Sequence, residues 1–141
     1  MAFADYRGRN GKGIFKMTSS EQLKADVKSY AETLECVVSG AEWFYEEYCD
    51  DDRDEYVDSY ARLSKYFEGV LDVEIICDLR GDYREARIAL TIGGPSIYLN
   101  TRTNCIEGYW WSDSAEYHVN RAAVDAVDEY FEEIWEMTRG H

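Results

Sequence analysis

Histidine is almost missing from this chain, and so is the chemistry that imidazole carries. His118 and His141 are the only two in 141 residues, and neither stands at HExxH or Cys–His ligand spacing. No histidine-built metal site is therefore expected. The four cysteines, Cys36, Cys49, Cys77 and Cys105, form no CxxC pair. The opening MAFADYRGRNGKGIFK has no apolar core of the kind a secretory signal needs. In such a chain the cysteines are expected to be reduced, small, buried hydrophobes. Cys105 and His118 would make a nucleophile–base pair only in a geometry that sequence does not specify; a structural thiol and a surface imidazole are the expectation. No apolar run reaches the roughly 18 residues of a membrane span, which points to a cytoplasmic protein. The one proline, Pro95, closes IGGP. That stretch lacks the GxxxxGK[ST] and GxGxxG spacings and leads into no helix, so it reads as a turn with the proline at the start of a strand.

Positive charge is the other shortage. Fifteen Lys and Arg face 29 Asp and Glu, for a formal net charge of −14. Direct nucleic-acid binding is disfavoured, since phosphate contacts need basic side chains. A basic partner is favoured on the same ground. What remains is globular: 45% of residues are aliphatic, aromatic or cysteine, enough for the core of one domain.

Residues 1–17 hold Arg7, Arg9, Lys12 and Lys16 with Gly8, Gly11 and Gly13, and read as a flexible basic arm. Residues 18–141 read as a single α+β domain. TSSE at 18–21 is a capping box, followed by Leu23, Val27, Tyr30 and Leu34 at helical spacing and closed by Gly40. A second helical stretch, 41–68, is expected with a break near residues 50–52. Trp43, Phe44 and Tyr48 would face inward before the break, and Val57, Tyr60, Ala61, Leu63 and Phe67 after it. VEIICDL and EARIALTI flank the turn RGDYR, and SIYLN pairs through TRTN with CIEGYWW. AEYHV would be at most a short edge. A last helix over 120–138 turns Ala123, Val124, Val127, Phe131, Ile134 and Trp135 inward. The expected order is two helices, a four-stranded antiparallel meander, and a C-terminal helix packed on the sheet.

The acids are not spread evenly. Residues 42–58 hold nine carboxylates against Arg53 alone: Glu42, Glu46, Glu47, Asp50, Asp51, Asp52, Asp54, Glu55 and Asp58. Asp50, Asp52 and Asp54 open like an EF-hand, but that loop needs Gly at its sixth position and Glu at its twelfth. Glu55 and Ala61 stand there, so no metal is expected, and no other cofactor either. On the last helix Asp125, Glu129, Glu132 and Glu136 fall on one face with Asp128 and Glu133 beside them, and no basic residue lies between Arg121 and Arg139. A solvated helix face accounts for the exposure but not for the missing lysines, because like charges at i,i+4 cost about 0.2–0.5 kcal/mol per pair. Tyr45, Tyr48, Tyr56 and Tyr60 lie among the first acids, and carboxylate beside tyrosine suits arginine. The expected partner-binding set is therefore Glu46, Glu47, Asp50, Asp51, Asp52, Asp54, Glu55, Asp58, Tyr48, Tyr56, Asp125, Asp128, Glu129, Glu132 and Glu136.

Aromatic residues offer the competing reading. Along a strand YWW sends Trp110 to one face and Tyr109 and Trp111 to the other. Either the helices cover these rings as core, or Tyr98, Tyr109, Trp110 and Trp111 line a small-ligand pocket. No nucleophile or acid–base constellation accompanies them, so a non-enzymatic protein is expected.

In composition and surface this small, acidic, tyrosine-rich chain resembles the DNA-mimic inhibitors of mobile elements, the anti-restriction and anti-CRISPR proteins. GGPSIYLNTRTNCIEGYWWSDSAEY and the acidic helix after it are also similar to small proteins of phage and conjugative elements. The first resemblance implies a stoichiometric inhibitor that occupies the basic groove of a nucleic-acid-binding nuclease. Neither resemblance assigns a role to a residue. The basic arm and the tryptophan pair depart from a uniformly acidic mimic.

Overall fold

The computed structural model describes residues 18–48, 53–70 and 72–139. The basic arm, Cys49, Asp50, Asp51, Asp52 and His141 lie outside the described residues. Helix α1 (Ser19–Ser39) starts where the capping box places it: Thr18 Oγ1 accepts from the Glu21 amide at 3.1 Å, and Glu21 accepts from the Thr18 amide at 3.3 Å. Leu23, Val27, Ala31, Leu34 and Val37 form its buried stripe. Gly40 ends it in the left-handed conformation, φ 73°. The last carbonyls of the helix are not left bare. Buried Arg62 donates to Val37 O at 2.7 Å and Val38 O at 2.8 Å, placing a cation at the negative end of the helix dipole.

The second helical stretch is two α-helices, not one. Helix α2 (Glu42–Tyr48) precedes a 3-10 turn (Arg53–Tyr56), and α3 (Ser59–Tyr66) runs into another (Phe67–Gly69). Asp58 caps α3 by accepting from the Ala61 amide at 2.8 Å. That cap holds residue 57 outside the helix, so Val57, expected inside, is 71% exposed. Tyr60 is 37% exposed, whereas Leu63 and Phe67 are buried as expected.

The sheet has five strands where four were expected: β1 (Asp72–Cys77), β2 (Tyr83–Thr91), β3 (Ser96–Asn100), β4 (Cys105–Trp110) and β5 (Asp113–His118). They pair antiparallel in chain order. The extra strand begins two residues before the AEYHV segment, because Trp110 pairs with Asp113 across the two-residue turn Trp111–Ser112. Trp111 makes that turn at φ 55°. Register aligns Val73, Ile88, Leu99, Ile106 and Tyr117 across all five strands, with Ile97, Gly108 and Ala115 two residues along. This face meets α1, α3 and the last helix in one core, apart from Tyr117, which is 39% exposed. Glycine is required at 108, where a Cβ would stand 2.7 Å from Val27 and 2.9 Å from Leu23.

Helix α4 (Arg121–Arg139) follows β5 directly. Asn120 caps it through the Ala123 amide at 2.8 Å and ties it to α1 through Glu35, also at 2.8 Å. Its buried face is Ala123, Val124, Val127, Tyr130 and Phe131, while Ile134 and Trp135 are half-buried. At its end Trp135 Nε1 donates to Gly81 O at 2.7 Å, and Arg139 reaches Gly81 O and, at 3.3 Å, Arg80 O. The helix thus clasps the β1–β2 turn. Asp78 orders the turn from within, accepting from the amides of Arg80 at 2.9 Å and Asp82 at 3.0 Å. Its carboxyl sits below the ordinary value, chiefly through the Asp82 amide.

Candidate interaction surfaces

The inward stripe of α4 turns its acids outward. Asp125, Glu129, Glu132, Glu133 and Glu136 are all exposed. The two at the ends are partly neutralised, Asp125 by Arg121 at 3.1 Å and Glu136 by Arg139 at 3.6 Å. Glu129, Glu132 and Glu133 have no ion pair among the described residues. Asp128 does not join this face. It is half-buried and accepts from the Tyr83 hydroxyl at 2.6 Å, tying α4 to β2.

In the first cluster Glu46, Glu47, Asp54 and Glu55 are exposed, while Asp58, also exposed, is engaged as the α3 cap. Tyr48 and Tyr56 belong to the helical packing. Tyr48 stacks on Phe44 at 5.2 Å, and Tyr56 meets Phe44 edge-on at 6.0 Å. The carbonyl of Tyr56 accepts from Tyr45 Oη and Arg62 Nη1, both at 2.9 Å.

Helix α3, which follows the first acidic segment, meets α4 at a residue not included in the expected set. Tyr60 packs on Tyr130 of α4, with ring centroids 4.9 Å apart. Burial, then the carboxylate of Glu133, push its hydroxyl above the ordinary tyrosine value. The same field acts elsewhere: after burial, Glu47 raises Tyr48, Glu35 and Glu32 raise Cys36, and Glu116 and Glu107 raise Cys105. Beside Tyr60 lies a groove of about 330 Å³ lined by Glu55, Tyr56, Tyr60, Ala61, Ser64, Lys65 and Glu68. Tyr60 was expected inward with Val57, Ala61, Leu63 and Phe67; the structure places it on the groove beside Ser64 and Glu68.

The four aromatic residues of the pocket reading do not converge. Trp110 packs half-buried on the helix-facing side of the sheet, and Tyr98 and Tyr109 contact each other on the opposite side at 6.1 Å. Trp111 projects from the hairpin tip, 89% exposed and edge-on to Trp110 at 6.1 Å. The second sheet face is polar. Arg87 lies 3.9 Å over the Tyr98 ring, with Glu74 at 3.8 Å and Glu107 at 3.9 Å. Register sets Cys105 opposite His118. The thiol donates to Thr103 O at 3.3 Å, and burial with Glu116 holds it in its protonated form, the opposite of an activated nucleophile. Cys77, expected inside, is exposed at the end of edge strand β1. No group of three or more His, Cys, Asp or Glu among the described residues is placed to hold a metal ion. None of their helices is long and apolar enough to cross a membrane.

Comparison with known protein families, curated proteins and solved structures found no match.

Proposed function

We propose that this protein is a non-enzymatic interaction protein whose acidic helical face occupies a Lys/Arg-lined, nucleic-acid-binding groove on a partner protein. A defence nuclease is the target class implied by its resemblance to DNA-mimic inhibitors. The supporting observation is the outer face of α4, where exposed carboxylates run from Asp125 to Glu136 with no basic residue between them. Eleven helical steps at about 1.5 Å each make a line of charge about 16 Å long, close to five base pairs of axial rise. Tyr60 of α3 packs on Tyr130 and feels the charge of Glu133, which sets α3 beside this helix. A rigid negative surface steers and orients a cationic groove, and such attraction weakens as salt screens it.

The test is displacement of a labelled DNA duplex from purified restriction or RNA-guided nucleases. The protein should displace the duplex, and raising salt from about 50 to about 200 mM should weaken the effect. Glu129→Lys with Glu132→Lys should lower affinity about tenfold or more. Both positions are exposed, so the fold should shift by less than about 0.5 kcal/mol. Failure to displace duplex from any of the nucleases, or equal potency in the double variant, would exclude this reading.

A further inference from the structure

The groove between the 3-10 turn Arg53–Tyr56 and α3 has a composition that selects among cations. It is lined by Glu55 and Glu68, by Tyr56 and Tyr60, and by Ala61, Ser64 and Lys65. Beyond Tyr60 stands Glu133, whose charge reaches the tyrosine hydroxyl. One cation is already present: Lys65 Nζ lies 3.4 Å from Glu68 Oε1, both side chains partly exposed. That leaves Glu55 without an ion pair among the described residues, in a groove it lines together with Tyr60.

An ammonium ion is compact and strongly hydrated, and would gain little here beyond what Lys65 already takes. A guanidinium is planar and weakly hydrated; it can stack on a ring while donating a two-pronged pair of hydrogen bonds to a carboxylate. The groove offers both partners within about 330 Å³. We propose that it is an arginine subsite, which receives one arginine side chain of the basic partner, stacked on Tyr60 and paired with Glu55. This inference rests on the function proposed above, because it names a contact within the same acidic surface. Lys65 is an internal competitor that shares the groove's negative charge through Glu68.

The experiment is amide NMR of the intact chain titrated with N-acetyl-arginine amide, and in parallel with N-acetyl-lysine amide. The arginine probe should shift the signals of Tyr60, Ser64 and Glu68, and bind at least about threefold tighter than the lysine probe. Glu55→Gln should weaken arginine binding by about threefold or more, and Lys65→Met should strengthen it by about threefold. Both substitutions are at the surface, and an unchanged pattern of the remaining amide signals verifies the fold. Shifts spread over all acidic helices, equal response to the two probes, or indifference to Glu55→Gln would each overturn the subsite. Duplex displacement separates this idea from its parent. If displacement persists without arginine selectivity, the subsite alone fails. If arginine selectivity persists without displacement, the subsite stands and the nuclease reading falls.

Discussion

Trp111 occupies a turn position that hairpins usually give to glycine or asparagine. At φ 55° its Cβ crowds the following carbonyl, a strain of about 1–2 kcal/mol for an L-residue with a bulky side chain. The edge-on contact with Trp110 opposes this, but an aromatic pair contributes about 0.5–1.5 kcal/mol and this one is largely in water. Strain outweighs contact. Trp111→Asn should therefore raise the stability of the isolated protein by about 0.5–1 kcal/mol, seen as a melting temperature higher by a few degrees. A lower melting temperature would show that the ring contact dominates. Local chemistry was the most legible part of the sequence: Thr18, Glu21 and Gly40 act within one helical turn of themselves, and all three sit as their types demand. Val57, Tyr60 and Trp111 were misread for a shared reason. Each lies just where a periodicity is interrupted, at a cap, at the first turn of a helix or at the end of a strand, and the pattern carried across the break loses its phase.

Helix α4 joins two functions along one cylinder. Its inner stripe completes the core, its outer stripe is the acidic face, and its last turn grips the β1–β2 hairpin. Trp135→Phe keeps most of the ring and removes only the N–H donated to Gly81. The loss should be about 1 kcal/mol, with faster amide hydrogen exchange confined to residues 78–84. Faster exchange throughout the sheet would mean that Trp135 acts as core, not as a clasp. The two stripes of α4 were legible because a 3.6-residue period needs no partner to be seen. The fifth strand was not, since β5 alternates weakly and is defined by its pairing with β4. Likewise the acidic segments could be found one at a time, but the contact of Tyr60 with Tyr130 depends on how α3 packs beside α4.

Across the whole molecule, negative charge and half-buried tyrosine set the response to pH. The hydroxyls of Tyr66 and Tyr83 are both held well above the ordinary value of about 10, first by burial; then Tyr48 and Tyr30 act on Tyr66, and the bond to Asp128 on Tyr83. A raised folded-state value means that the folded chain keeps protons which the unfolded chain releases. The stability is fully present below about pH 10 and is lost as pH climbs beyond it. Urea unfolding between about pH 8 and 11 should show a steep decline at the alkaline end, and Tyr66→Phe should flatten it. An unchanged slope in that variant would remove Tyr66 as a cause. The acidity of the chain was plain from composition. Which tyrosines are withheld from water was not, because Tyr66 and Tyr83 look no different in sequence from exposed Tyr109.

The sheet pairs each strand with its neighbour in the chain, yet α1 lies against β4 and β5, with contacts between Ser19 and Asp113 that bridge 94 positions. During synthesis this helix leaves the ribosome well before the strands it docks on. From Ser39 to His118, at about 5–20 residues per second, it waits about 4–16 s. For that interval Leu23, Val27, Leu34 and Val37 have no sheet to cover them, so the nascent chain offers chaperones a greasy helix that the finished protein never shows.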